Sequence, residues 1–89
     1  MSQVPCKNTA NFVETVIEDE AVLMNIGNGD FFSLAGTALA IWNLIDGSRD
    51  VPQIVAALAE QYGAPASEVA TDVEAFVVEL AQLDFIVHG

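Results

Sequence analysis

Basic side chains are nearly missing from this sequence. Its 89 residues include 13 acids but only Lys7 and Arg49 on the basic side, so the formal net charge is −11. Proteins that bind DNA or RNA neutralise phosphates with lysine and arginine, and this chain offers almost none. Anionic membrane surfaces repel it for the same reason. The charge therefore argues against nucleic-acid and membrane partners and favours a neutral or basic peptide or protein.

Cysteine and histidine are as scarce, with one of each. The single cysteine, Cys6, excludes an internal disulfide, which favours a reducing cytoplasm over secretion. One cysteine and one histidine do not suffice for a zinc site, and His88, next to the last residue, is poorly placed as a base for any serine. The sequence therefore predicts no catalytic residues, no metal and no cofactor.

Long apolar runs are also missing. No run approaches the roughly 20 residues of a transmembrane helix, and residues 1–10 lack the apolar stretch of a signal peptide. Hydrophobic residues nonetheless make up 53% of the chain, which is enough for one small core. We expect a flexible N-terminus over residues 1–11 and a single domain over residues 12–88.

The first part of this domain has the pattern of three short strands. Phe12–Ile17 and Ala21–Ile26 are apolar runs separated by a charged turn. Gly27–Asp30 is a strong turn signal because glycine and asparagine tolerate positive φ, and Phe31–Leu34 follows as a third strand. Short consecutive strands with tight connections form an antiparallel meander. Alternation along the third strand is expected to bury one of its two phenylalanines and to expose the other.

After the third strand, the apolar residues recur at helical spacing. The first predicted helix carries Trp42, which we expect in the core, and ends near Gly47. The second begins at Asp50, whose side chain can cap the first turn while Gln53 returns the hydrogen bond. Gly63 ends it.

A third helix is expected over about residues 65–83, followed by a short strand or an apolar tail over residues 85–87. Beside its apolar face runs a second stripe, which is acidic. Such a stripe is either a solvated helix face or the rim of a groove, and the sequence leaves both interpretations open. The stripe consists of Glu68, Asp72, Ala75 and Glu79.

Two other classes of small protein deserve comparison. Acyl carrier proteins attach their prosthetic arm to a serine that directly follows an aspartate, whereas Asp30 and Ser33 are separated here by two phenylalanines. Winged-helix DNA-binding proteins share the expected architecture, but an acidic stripe on the third helix opposes contact with phosphates. A winged-helix regulatory or protein-interaction module remains an alternative.

The segment Gly29–Leu34, followed by Ile41–Trp42 and Asp46–Gly47, resembles the PqqD-like proteins, named for pyrroloquinoline quinone synthesis protein D. Downstream, Val51–Tyr62 resembles the second helix of this family and Asp72–Phe76 part of the third. The helix faces are generic, but the order of the strand, the Ile-Trp pair and the Asp-Gly pair is more specific.

The resemblance extends over about residues 13–87, with two departures. The family commonly has Leu-Asn after the third strand, where Leu34 is here followed by Ala35–Gly36. A glycine near the C-terminal end of the family pattern is replaced by Asp84.

The resemblance implies a winged-helix-like α+β fold, with a three-stranded antiparallel sheet followed by three helices. It also implies a non-catalytic recognition element for ribosomally made, modified peptides. Such a protein binds the leader of a precursor peptide by strand addition to its third strand. It then delivers the peptide to a leader protease or a radical-type modifying enzyme, in a lasso-type or PQQ-like pathway. The peptide-binding residues expected on this basis are Asp30, Phe31, Phe32, Ser33, Leu34, Asp72, Ala75, Phe76, Glu79 and Leu80.

Within this set, strand pairing is expected to supply affinity and the side chains to supply specificity. Asp72 and Glu79 are expected to pair with basic residues of the leader. Apolar pockets are expected between Phe31, Phe32 and Leu34 on the strand and Phe76 and Leu80 on the helix.

Overall fold

A computed structural model describes residues 4–88 of the chain. Met1–Gln3, which belong to the segment predicted to be flexible, and Gly89 lie outside the described residues. The elements follow the order predicted from the sequence, with one additional strand at the N-terminal end. They are β1 (Pro5–Lys7), β2 (Phe12–Ile17), β3 (Glu20–Asn25), β4 (Phe31–Ala35), α1 (Thr37–Leu44), α2 (Val51–Tyr62), α3 (Ala66–Gln82) and β5 (Ile86–His88).

Strands β2, β3 and β4 form an antiparallel sheet with β3 in the centre. The register places Val13 opposite Met24, and Met24 opposite Phe31. The turn between β2 and β3 contains only Glu18 and Asp19, so β3 begins one residue earlier than the apolar run indicated. The predicted meander and the α+β class, a three-stranded sheet followed by three helices, are confirmed.

The N-terminal segment departs from the prediction. Pro5–Lys7 pairs antiparallel with Ile86–His88 in a second, two-stranded sheet. Pro5 is fully buried, and the ammonium of Lys7 lies 4.6 Å from the centroid of the Trp42 ring. The boundary expected at residue 12 is therefore too late, because packing on the core holds this polar segment in the folded unit. Of the two alternatives for the C-terminal end, a strand is observed.

The helices begin and end close to the predicted positions. Asp50 and Gln53 form the expected reciprocal cap of α2, with N···O distances of 2.8 and 2.9 Å. Gly63 ends α2 in the left-handed conformation, with φ of 62°. Helix α1 begins after Gly36, whose φ is 59° and which provides no side-chain cap. None of the helices between residues 4 and 88 combines the length and apolar character needed to cross a bilayer.

One face of the three-stranded sheet packs on the helices, and aromatic rings join the two layers. Trp42 is fully buried, as predicted, and its ring meets the Phe12 ring edge-on at 5.3 Å between centroids. Phe85 follows α3 and lies edge-on to Phe12 at 5.8 Å and to Phe32 at 5.2 Å. Phe85 therefore connects the sheet, the end of α3 and the core.

The position of Phe85 depends on how α3 ends. Asp84 adopts a left-handed conformation with φ of 62°. Its N–H donates to the Ala81 carbonyl at 3.1 Å, and the N–H of Phe85 donates to the Leu80 carbonyl at 3.0 Å. These two bonds form a Schellman motif, in which the left-handed position usually holds glycine. Asp84 thus occupies the site at which the sequence departs from the family pattern.

Candidate functional site

Strand β4 lies at an edge of the three-stranded sheet. At its start, the Asn25 N–H donates to the Asp30 carbonyl at 2.8 Å, in the same register that pairs β3 with β4. Hydrogen-bonded pairs alternate along an antiparallel ladder, so the backbone groups of Phe32 and Leu34 face β3. The backbone groups that face the open edge belong to Phe31, Ser33 and Ala35.

The sheet has a second open edge on β2, and its chemistry differs. Glu14 pairs with Leu23 and therefore projects on the core-side face of the sheet, although it is exposed beyond the core. A charge on that face of an edge strand discourages pairing with another strand. Strand β4 carries no charged residue from Phe31 to Ala35. Of the two edges, β4 is the less protected against strand addition.

The side chains of β4 alternate between the two faces of the sheet. Leu34 is buried in the core, and Phe32 is half-buried against Phe85. Phe31 points to the opposite face and is 69% exposed, so the two phenylalanines lie on opposite faces as predicted, but Phe32 is only half-buried and does not belong to the fully buried core. The predicted pocket needs correction, because Phe31 cannot line the core-side face together with Phe32.

The predicted residues of α3 divide in the same way. Leu80 is 2% exposed and belongs to the core, so it supports the site without offering much surface. Phe76 is partly buried at the border of the same core as Phe32, which leaves part of each ring accessible. Asp72, Ala75 and Glu79 are exposed. Both interpretations of the acidic stripe therefore stay open.

Two residues that the sequence analysis missed position these parts. The Asn25 side-chain amide donates to the Leu83 carbonyl at 3.3 Å and so ties the end of α3 to the sheet. Its Oδ1 accepts the N–H of Gly27 at 2.8 Å, which shapes the turn leading to β4. The available signal was an asparagine two residues before the first glycine of a glycine-rich turn. Phe85 gave no comparable signal, because its role depends on contacts with residues distant in sequence.

The remaining predicted residues belong to the turn and to the outer face of the sheet. Asp30 is exposed, and its N–H donates to the Asn28 side-chain oxygen at 2.9 Å. The Ser33 hydroxyl donates to the Glu20 carboxylate at 3.0 Å. Among the side chains that the structure describes, no three metal-binding groups lie close enough together to hold an ion.

Comparison with known proteins gives three matches. The family model described as coenzyme PQQ synthesis protein D (PqqD) matches residues 20–86. The PqqA binding protein of Rhizobium meliloti (strain 1021) is 46% identical over 44 residues, which cover 49% of this chain and 45% of that protein. The aligned part therefore spans less than half the length of this relative.

The third match is to a solved structure, that of TbiB1 in complex with the TbiA(beta) leader peptide. It superposes with a TM-score of 0.77 at 28% identity and covers 85% of this chain and 88% of that chain. The likeness thus includes both the sheet and the helices. Because the family model spans residues 20–86, well over half of the sequence, the chain belongs to the PqqD family.

Proposed function

We propose that this protein is a non-catalytic leader-peptide recognition protein. It binds an extended segment of a precursor peptide as an added strand on the open edge of β4. The rest of the peptide is thereby held at high effective concentration for a modifying enzyme or a leader protease. The observation that carries the proposal is an edge strand without charge, whose outward-facing backbone groups alternate with the half-buried ring of Phe32, while Phe76 is half-buried against the same core.

The comparisons support the same role. The relative from Rhizobium meliloti is named for binding PqqA, and TbiB1 was solved with a leader peptide bound. Both ligands are peptides, which is the class of partner that an open strand edge recognises. Membership of the PqqD family supports a recognition protein over an enzyme.

Backbone hydrogen bonds alone are too weak to account for micromolar binding of a peptide. Three residues of β4 offer up to about six hydrogen bonds, each worth a net ~1 kcal/mol. Micromolar binding needs about 8 kcal/mol beyond the cost of ordering the peptide. Apolar leader side chains packed against Phe32 and Phe76 supply the difference, so we expect apolar residues at alternate positions of the bound segment.

The acidic stripe has a secondary part in this proposal. Asp72 and Glu79 attract basic leader residues and mainly accelerate association, because exposed charges act more on encounter rates than on final affinity. The product is proposed to be a lasso-type or PQQ-like peptide. The proposed compartment is the cytoplasm, because proteins in this reducing compartment rarely contain disulfides and this chain has a single cysteine.

A proline substitution on β4 tests the binding edge. Ser33→Pro removes an N–H that faces the open edge and is not used by the β3–β4 ladder, so the fold should persist. Its affinity for a leader peptide that the wild-type protein binds, with PqqA and the TbiA(beta) leader as the first candidates, should fall at least tenfold. Fluorescence anisotropy with a labelled leader of about 20 residues measures the change, and wild type should bind with a micromolar or tighter Kd.

The matched control places proline on the other edge. Glu14→Pro removes an outward-facing N–H of β2 and should leave leader binding within twofold of wild type. Circular dichroism checks that both variants keep the fold. Equal losses in the two variants, or full binding by a folded Ser33→Pro protein, would refute strand addition at β4.

A further inference from the structure

The face of the sheet that points away from the core is unusually apolar. The register places Val13, Met24 and Phe31 side by side in one row across β2, β3 and β4. Val22 lies in the next row, and Ile17 lies on the same face at the end of β2. Val13, Ile17 and Phe31 are 48%, 58% and 69% exposed. We call these five side chains the outer apolar face.

A sheet with one solvated face usually alternates apolar inward and polar outward residues. Strand β2 breaks this rule, since two of its three outward positions are Val13 and Ile17. The polar exceptions on the same face are Thr15 and the hydrogen-bonded pair of Ser33 and Glu20. Contiguous exposed apolar surface of this kind marks an interaction site more often than a solvated surface.

We propose that the outer apolar face docks a second protein, whose complementary surface is apolar and bordered by lysine and arginine. This inference rests on the proposed function and names the partner as the enzyme that acts on the bound peptide. The outer face is perpendicular to the β4 edge. Peptide and enzyme therefore bind at the same time, and neither blocks the other.

Charge selects this partner over the alternatives. Glu18, Asp19 and Glu20 stand at one end of the outer apolar face, and Asp30 precedes β4 at the other end. Stacking a second copy on this face would bring two chains of charge −11 together and is opposed by repulsion. An anionic membrane is repelled as well. A partner protein with lysine and arginine around an apolar patch is attracted at long range by these acidic residues. On binding, only the apolar centre of its patch needs to lose water.

The test compares two valines of the same strand. Val13→Lys places a positive charge in the outer apolar face, whereas Val16→Lys places it on the opposite face, where Val16 is 66% exposed. The probe is the purified modifying enzyme or leader protease that acts on the bound leader peptide, titrated onto the immobilised full chain. We expect Val13→Lys to weaken enzyme binding at least tenfold and Val16→Lys to change it less than twofold. Val13→Thr, which keeps the β-branched shape, should lose about threefold.

Leader binding is measured on the same variants and should stay within twofold of wild type. Equal enzyme binding by wild type and a folded Val13→Lys protein overturns the inference, as does an equal loss in Val16→Lys. A dimer seen in sedimentation, or binding to phosphatidylglycerol vesicles, that Val13→Lys abolishes would assign the face to a second copy or a membrane. If wild type fails to bind leader, the proposed function fails; if only the face effect is missing, this inference alone fails.

Discussion

Asp84, the residue with left-handed backbone conformation at the end of α3, is a position where one substitution should change the stability of the protein. Asp84 has φ of 62°, where an L-residue loses about 1–2 kcal/mol relative to right-handed backbone. Aspartate lies at the low end of this range because its short polar side chain tolerates the conformation. Its negative charge also follows the C-terminus of α3, where the helix dipole disfavours anions by a few tenths of a kcal/mol.

We therefore expect Asp84→Gly to stabilise the protein. Glycine removes both the backbone penalty and the unfavourable charge. It also adds conformational freedom to the unfolded chain, which offsets roughly 0.4–1 kcal/mol of the gain in stability. The net gain is about 0.3–0.9 kcal/mol, or a rise in Tm of about 1–7 °C for a domain of this size. Urea unfolding followed by the fluorescence of Trp42, the one tryptophan and fully buried, measures the change.

Asp84→Ala is the matched control. It removes the carboxylate but keeps a Cβ in the left-handed conformation, so its stability should remain near wild type. A gain in Asp84→Ala equal to that in Asp84→Gly would show that charge, not backbone conformation, is the cause. A loss of stability in Asp84→Gly would refute the reasoning altogether.

Two further predictions concern charged groups. The double variant Asp72→Asn/Glu79→Gln should keep its stability and bind a leader containing lysine or arginine about 2- to 30-fold more weakly, mostly through a slower association rate that depends less on salt. Stopped-flow mixing at two salt concentrations checks this, and unchanged kinetics would make the stripe a solvated face. Hydrogen bonds from the Ser48 hydroxyl and N–H, assisted by the Arg49 charge, hold the pKa of Asp46 below its ordinary value. The stabilisation from Asp46 is therefore present at neutral pH and lost as the pH falls below the ordinary pKa of aspartate, about 4, so wild type should be more stable than Asp46→Asn in urea unfolding at pH 7 and the difference should shrink as the pH is lowered.

The sequence by itself determined the features that depend on near neighbours. The capping of α2 by Asp50 and Gln53 involves residues three positions apart, and the pattern at this spacing is visible in one dimension. The same holds for the alternation of Phe31 and Phe32 along one strand. The resemblance to the PqqD-like proteins also rested on short runs of residues, and it identified the family and the order of strands and helices correctly.

Tertiary structure decided what depends on distant contacts. Strand β1 has three residues and no periodic signal, and it exists through pairing with β5 at the other end of the chain. Strand alternation already predicted that Phe31 and Phe32 lie on opposite faces. The exclusion of Phe31 from the predicted pocket, however, required knowing which face of the sheet packs against the helices. The role of Asp84 likewise became clear only with φ and the two bonds that end α3. Local patterns specify local hydrogen bonds and faces, whereas the use of each face depends on which surfaces the folded chain brings against it.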